Sequence, residues 1–319
     1  MRQIKKICSV VLLSSCFSQA SLSQNGPWFT GPLLAPAGHI IPTGHTNVEI
    51  YGIHTENDGI FNRHGKLIHT PTNSSTILNP LLSHGLSDYV DIQISVPYTY
   101  NSNLGEHSNG FTDNSVILGF QLLEQKNSRW RPDLRVSLNE ILPAGKYDQL
   151  NPGRNGTDAK GLGSYQTSIG FHFQHLLPVF KTHYLRTRLS LNHIYASKVK
   201  IHGLSTYGGA VNTNGRIRPG NFSSIDLAGE FTLTQHWVAV MEGFAAYRQG
   251  TQFKGFRGTT ATGMPASIGH GTVQFISLAP AIEYNFNANY GIIAGVWFDL
   301  KGKETVKFVS PMVAFNAFW

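Results

Sequence analysis

After its first 20 residues the chain has no cysteine, because Cys8 and Cys16 both precede Ala20. Disulfides, thiolate metal sites and cysteine nucleophiles are therefore excluded from the rest of the protein. Charge is scarce too. Asp, Glu, Lys and Arg make up 13% of residues, about half the share in a soluble domain. The formal charge of +7 includes Arg2, Lys5 and Lys6, and what remains is too small and too dispersed to suggest a nucleic-acid partner. Beyond residue 20 no run reaches the roughly 18 apolar residues of a membrane-spanning helix.

What the chain has instead is alternation. In Val90-Asp91-Ile92-Gln93-Ile94-Ser95-Val96 the apolar residues fall on one face at period two and the polar residues on the other. Leu185, Leu189 and Leu191 oppose Arg186, Arg188, Ser190 and Asn192. Ile225, Leu227 and Phe231 oppose Asp226 and Glu230. Ile292, Val296, Phe298 and Leu300 oppose Gly291, Gly295 and Asp299. Such segments near 46–55, 74–85, 89–99, 113–125, 132–143, 163–176, 182–197, 221–234, 237–248, 271–285, 290–301 and 306–319 predict about twelve strands. Segments 74–85 and 237–248 alternate poorly, which leaves ten or fourteen strands open. The connections between them alternate long and short, with only the last outer one breaking the rule. That is how outer-membrane barrels sort external loops from periplasmic turns. The expected fold is all-β, an antiparallel transmembrane barrel over 46–319.

Both ends of the chain fit that reading. Residues 1–20 have a basic start, an apolar middle and the small residues Ser18 and Ala20, the composition of a cleaved signal peptide. Leu13-Ser14-Ser15-Cys16 also resembles a lipobox, so lipidation at Cys16 is the alternative to cleavage after Ala20. Residues 21–45 are rich in Gly and Pro and have no period; they read as an irregular leader, either periplasmic or tucked into a lumen. At the other end, Val309, Val313, Phe315, Ala317 and Trp319 share a face opposite Ser310 and Asn316. An apolar terminal strand would be an aggregation hazard in water but closes harmlessly onto the first strand in lipid. Phe315 and Trp319 are expected to face lipid, with Trp319 at the periplasmic interface.

Three stretches carry a family likeness: Phe29-Thr30-Gly31-Pro32-Leu33-Leu34; the run from Gly85 to Tyr98; and Leu142-Pro143-Ala144-Gly145-Lys146-Tyr147, followed by Gly163-Ser164-Tyr165. In these the chain resembles the outer-membrane transporters associated with the meta-pathway of phenol degradation. The resemblance implies a bacterial outer-membrane barrel with a transport role, and a terminal aromatic recognised by the outer-membrane insertion machinery. It supplies no catalytic residues.

Alternation places Glu49, Asp91, Arg135, Arg186, Arg188, Asp226, Glu230, Glu283 and Asp299 on inward faces, since a charge facing lipid is costly. They are expected to line a lumen, either bracing the wall in pairs or setting the selectivity of a path. Arg186 and Arg188 share one inward face beside the carboxylates Asp226 and Glu230. Trp297, with Ile117, Leu123, Val238, Val240, Phe244 and Ile293, makes other inward positions apolar, which suits a narrow or hydrophobic-substrate pathway and equally a filled small barrel.

Enzyme chemistry finds little support. His107-Ser108-Asn109-Gly110 resembles the His/Ser/Asn stretch of outer-membrane phospholipases. There the His and Ser are one residue apart and share a face; here they are adjacent and lie in an expected loop, so an extended chain points them apart. His172, His175, His183 and His193 match no metal spacing, and no cofactor motif is present. The expected function is a channel for small, hydrophobic or aromatic molecules. The alternatives are a non-transporting surface barrel with a filled lumen that acts through its external loops and, behind that, a lipid hydrolase. The expected partners are the lipid bilayer, a small-molecule substrate and the insertion machinery.

Overall fold

Period-two alternation becomes a closed wall. The computed structural model describes residues 26–319 apart from Asn127 and Arg129; the signal peptide and the Cys16 alternative lie outside the described residues. Twelve staves close into an antiparallel barrel. They are β1 (Thr46–Phe61), β2 (Leu67–Ser87), β3 (Val90–Ser95) joined end to end with β4 (Tyr98–Asn103), β5 (Glu106–Phe111) joined with β6 (Asn114–Leu123), β7 (Asp133–Leu142), β8 (Gln166–Val179), β9 (His183–Ala196), β12 (Phe222–Thr232), β13 (Trp237–Arg248), β15 (Val273–Asn285), β16 (Tyr290–Lys303) and β17 (Thr305–Phe318). The poorly alternating segments 74–85 and 237–248 are both staves.

β1 pairs with β2 on one side and β17 on the other, so the sheet has no free edge. At the seam the Thr46 N–H donates to the Trp319 carbonyl at 2.8 Å, and the Trp319 N–H returns to the Thr46 carbonyl at 3.0 Å. Closure matters because hydrocarbon offers no partner for a backbone N–H or C=O. The two faces of the wall separate cleanly on β12, where Ile225 and Leu227 are exposed and Asp226, Ala228, Glu230 and Thr232 are buried. Val309, Val313, Phe315 and Trp319 are exposed on the outside of the last stave. An apolar outer band around a closed barrel defines an outer-membrane protein.

Two of the expected outer loops are largely strand. The connection expected over 56–73 narrows to a tight turn at residues 62–66 between β1 and β2, and that expected over 100–112 is the β4–β5 hairpin. The hairpin turns at Leu104 (φ 49°) and Gly105 (φ 84°), two successive left-handed residues of the kind that match strand twist. Farther round, β10 (Val199–His202), β11 (Asn214–Arg218) and β14 (Gln252–Phe256) form a separate three-stranded sheet. Val199, Ile201, Tyr207 and Ile217 pack there into a small core. These strands have only four or five residues each, too short for alternation to stand out from loop.

The lipid face sets a testable cost. Val313→Arg, halfway along β17, is expected to destabilise the barrel in vesicles by about 2–4 kcal/mol, whereas Val306→Arg near the outer end should cost about 0–1 kcal/mol. Urea titration of tryptophan fluorescence measures both.

Candidate functional site

Residues 26–45 enter the lumen. They begin beside the turn between β12 and β13, where the Gln235 amide donates to the Gly26 carbonyl at 3.0 Å. They end at the turn between β2 and β3, where Thr43 bridges Gly85. In between, the leader climbs into the barrel and returns. Its Pro and Gly content prevents helix or strand, so its N–H groups need side-chain acceptors.

The wall supplies them. The Glu242 carboxylate accepts from three consecutive N–H groups, those of Leu33 (2.6 Å), Leu34 (3.0 Å) and Ala35 (2.8 Å). Glu283 accepts from Thr30 at 2.8 Å and from Gly31 at 3.3 Å. On the returning arm, Gln121 accepts from Ile40 at 2.8 Å and Asp91 from Ile41 at 3.1 Å. Arg188 donates to the Ala35 carbonyl at 3.0 Å, and the Arg186 guanidinium lies 4.1 Å above the Phe29 ring. Leu33 is also buried among Val238, Val240, Ala279, Ile293, Met312 and Ala314.

The inward charges fall into two ion-paired groups and several single carboxylates. Arg135 and Asp91 pair at 2.7 Å. Gly119, on the stave between them, has no side chain because a Cβ there would run into both. Arg186 makes a two-pronged contact with Glu230, its Nε at 2.7 Å. Arg188 lies 3.2 Å from the same carboxylate, its Nε off line for a hydrogen bond. Glu230 thus takes both arginines, and Asp226 takes neither. Glu49 accepts from Tyr51, Asn47 and Asn316, each at 3.3 Å, and Asp299 accepts the Phe308 N–H at 2.7 Å.

Glu242 was missed by sequence reasoning, although it shares parity with Val238, Val240 and Phe244. The weak alternation of that stave hid it. Gln121, Gln174 and Asn285, which also hold the leader, carry no charge and gave no signal.

Beside the leader a cavity of about 610 Å³ remains, bounded by Glu49, Tyr51, Asn79, Asp91, Arg135, Arg186, Arg188 and Trp297. The inward face of the barrel has two kinds of sector. On one side Phe244, Phe275, Trp297 and Phe308 form a continuous aromatic cluster, with neighbouring ring centroids 4.7–6.1 Å apart. The Trp297 indole is fixed by donation to Ser277 at 2.8 Å. Across from it, His172 bridges Ser137 (2.8 Å) and Ser190 (3.1 Å).

His107 and Ser108 lie in β5 rather than in a loop. His107 stacks on Tyr100, while the Ser108 hydroxyl meets the Lys160 ammonium at 2.7 Å. The histidine and serine do not meet.

This geometry has counterparts among solved structures. The COG4313 outer membrane channel from Pseudomonas putida F1 superposes with a TM-score of 0.68 at 13% identity, over 91% of this chain and 100% of that one. Two others are looser: a NanC porin (TM-score 0.46, 7% identity, 85% and 99% covered) and a deletion mutant of the TodX monoaromatic hydrocarbon channel (0.44, 12%, 94% and 97%). No protein-family model matches the sequence, and no curated protein matches it. The first likeness shows the shared fold, an outer-membrane barrel. The link to phenol degradation rests on the sequence resemblance alone.

Glu230→Gln leaves Arg186 and Arg188 buried without a carboxylate. It is expected to destabilise the barrel by about 3–5 kcal/mol, read by urea unfolding in vesicles. Asp226→Asn, which breaks no ion pair, should shift the midpoint far less.

Proposed function

We propose that the protein is an outer-membrane channel for small solutes with an apolar face, including aromatic ones, and that residues 26–45 constrict it from the periplasmic side. The observation that carries this reading is the lumen itself. Packed side chains fill part of the barrel interior, and a Gly- and Pro-rich segment held largely through hydrogen bonds occupies more of it, but a cavity of about 610 Å³ stays open alongside, with Trp297 in its wall. An apolar ring in this cavity would lie against Ile53, Met312 and Trp297 and keep its polar substituents toward Asn79 and Gln93. Arg135, Arg186, Arg188, Asp91 and Glu230 flank the constriction and are the proposed selectivity residues, with Glu49, Asp226, Glu283 and Asp299 lining the rest of the path. No residue is proposed for catalysis.

A second reading has its own support. The leader occupies part of the interior, and the outer connections carry a folded sheet with a core of its own, a surface through which a non-transporting protein would act. Planar-bilayer recording separates the two. Wild-type protein is expected to give small single-channel steps. Glu242→Ala with Glu283→Ala removes the acceptors of five leader N–H groups and should give markedly larger ones, with barrel folding checked by heat-modifiable gel migration. Absence of steps in both proteins, together with unchanged solute uptake in a deletion strain, would sink the channel reading.

A further inference from the structure

A second cavity, of about 470 Å³, opens at the outer mouth between the β4–β5 hairpin and the connection over 143–165. Three cations border it: Lys146, Arg154 and Lys160. Lys146 is committed to Asp158 at 2.8 Å, and the same carboxylate oxygen accepts the Asn151 N–H at 3.0 Å. Arg154 donates to the His107 carbonyl at 2.9 Å and stands 3.9 Å from Glu106. Lys160 differs from both. Among the described residues it forms no ion pair, and its ammonium donates instead to the Ser108 hydroxyl at 2.7 Å. A hydroxyl that accepts from lysine still has its own proton to donate, so Lys160 and Ser108 together present two donor groups and a positive charge with no carboxylate in contact.

The site is held in place. Asp113 accepts from Gly145 at 3.0 Å and from Leu162 at 2.8 Å, clamping the two ends of the connection together. The Asn101 amide donates to the Thr157 carbonyl at 3.0 Å and the Ala159 carbonyl at 3.3 Å, and the Asn103 amide to the Asn155 carbonyl at 2.9 Å. These bonds fix Lys160 against Ser108 in advance of any ligand, which reduces the ordering cost of binding. Burial pulls the Lys160 ammonium below its usual range; Asp158 opposes this, and Lys146 and Arg154 add to it. An anion placed there would relieve that crowding.

We propose that this cavity is an oxyanion site, taking a phosphate-type group on Lys160 and Ser108 with Arg154 and Lys146 as flanking cations. The group comes either from a dissolved solute or from a phosphorylated glycolipid at the outer surface; the chemistry is shared. Binding is read without current, so the site stands or falls apart from the channel reading.

The test uses the full-length protein in zwitterionic detergent at low ionic strength, titrated calorimetrically with inorganic phosphate. In parallel, its co-sedimentation with vesicles containing or lacking lipopolysaccharide is measured. Lys160→Met is expected to weaken binding at least about tenfold on one probe or both, and the probe affected names the source. Lys160→Arg should retain binding. Lys254→Met, an equal charge loss on the exposed face of β14, should leave it unchanged, and heat-modifiable migration verifies that each variant is folded. If wild type takes neither probe, or if Lys160→Met matches wild type on both, or if Lys254→Met weakens binding as much as Lys160→Met, the site is overturned.

Discussion

A backbone N–H surrounded by hydrocarbon has nothing to bond except another part of the same wall. This constraint sets the architecture. It forces the staves to pair on both sides, hence the seam between Thr46 and Trp319, and it commits the wall's own N–H and C=O groups to the ladders. Anything placed inside the barrel is then held mainly by side chains, the backbone bonds between Gly85 of β2 and the end of the leader excepted. The inward face of the wall answers with carboxylates and amides at the heights where the leader needs acceptors: Glu283, Glu242, Gln121 and Asp91. The arginines complete the arrangement, neutralising Asp91 and Glu230 and giving the Ala35 carbonyl its donor. Wall and leader thus form one hydrogen-bonded system.

The wall was legible in the sequence to a greater degree than its contents. Alternation around Val90–Val96 or Ile225–Phe231 follows from the strand's period of two, and the lipid face enforces it. Parity alone identified the inward face of Arg186, Arg188 and Glu230. It could not say that Glu230 would take both arginines and Asp226 neither, because that depends on how far each side chain reaches across the β9–β12 register. The leader's place in the lumen was one of two options, since a segment without a period carries no information about what surrounds it. The outer sheet escaped notice for a different reason. Its strands are four or five residues long and come from two connections, β10 and β11 from the one before β12 and β14 from the one after β13.

The asymmetry of the interior follows from which staves carry which residues. β13, β15, β16 and β17, the later staves, supply Phe244, Phe275, Trp297 and Phe308. β7, β8 and β9 supply Ser137, His172 and Ser190. The aromatic and polar groups are therefore set in separate sectors of the sheet. The same segregation explains why the buried apolar cluster in the barrel lies on the later staves, with Leu33 of the leader completing it.

The leader also bears on how the cylinder comes to be closed. It is covalently continuous with β1, yet it is also bonded to β13 and β15; the Thr30–Glu283 bond spans 253 residues of sequence. Bringing the first stave to the last is the costliest contact in such a topology, because loop entropy must be spent before pairing rewards it. A segment that grips the late staves while its other end runs into the early one works as an internal splint. Its bonds tie the first stave to β13 and β15 by a shorter route than the wall between them. The bonds that fix the leader inside the barrel are therefore also cross-links between staves far apart in the sequence.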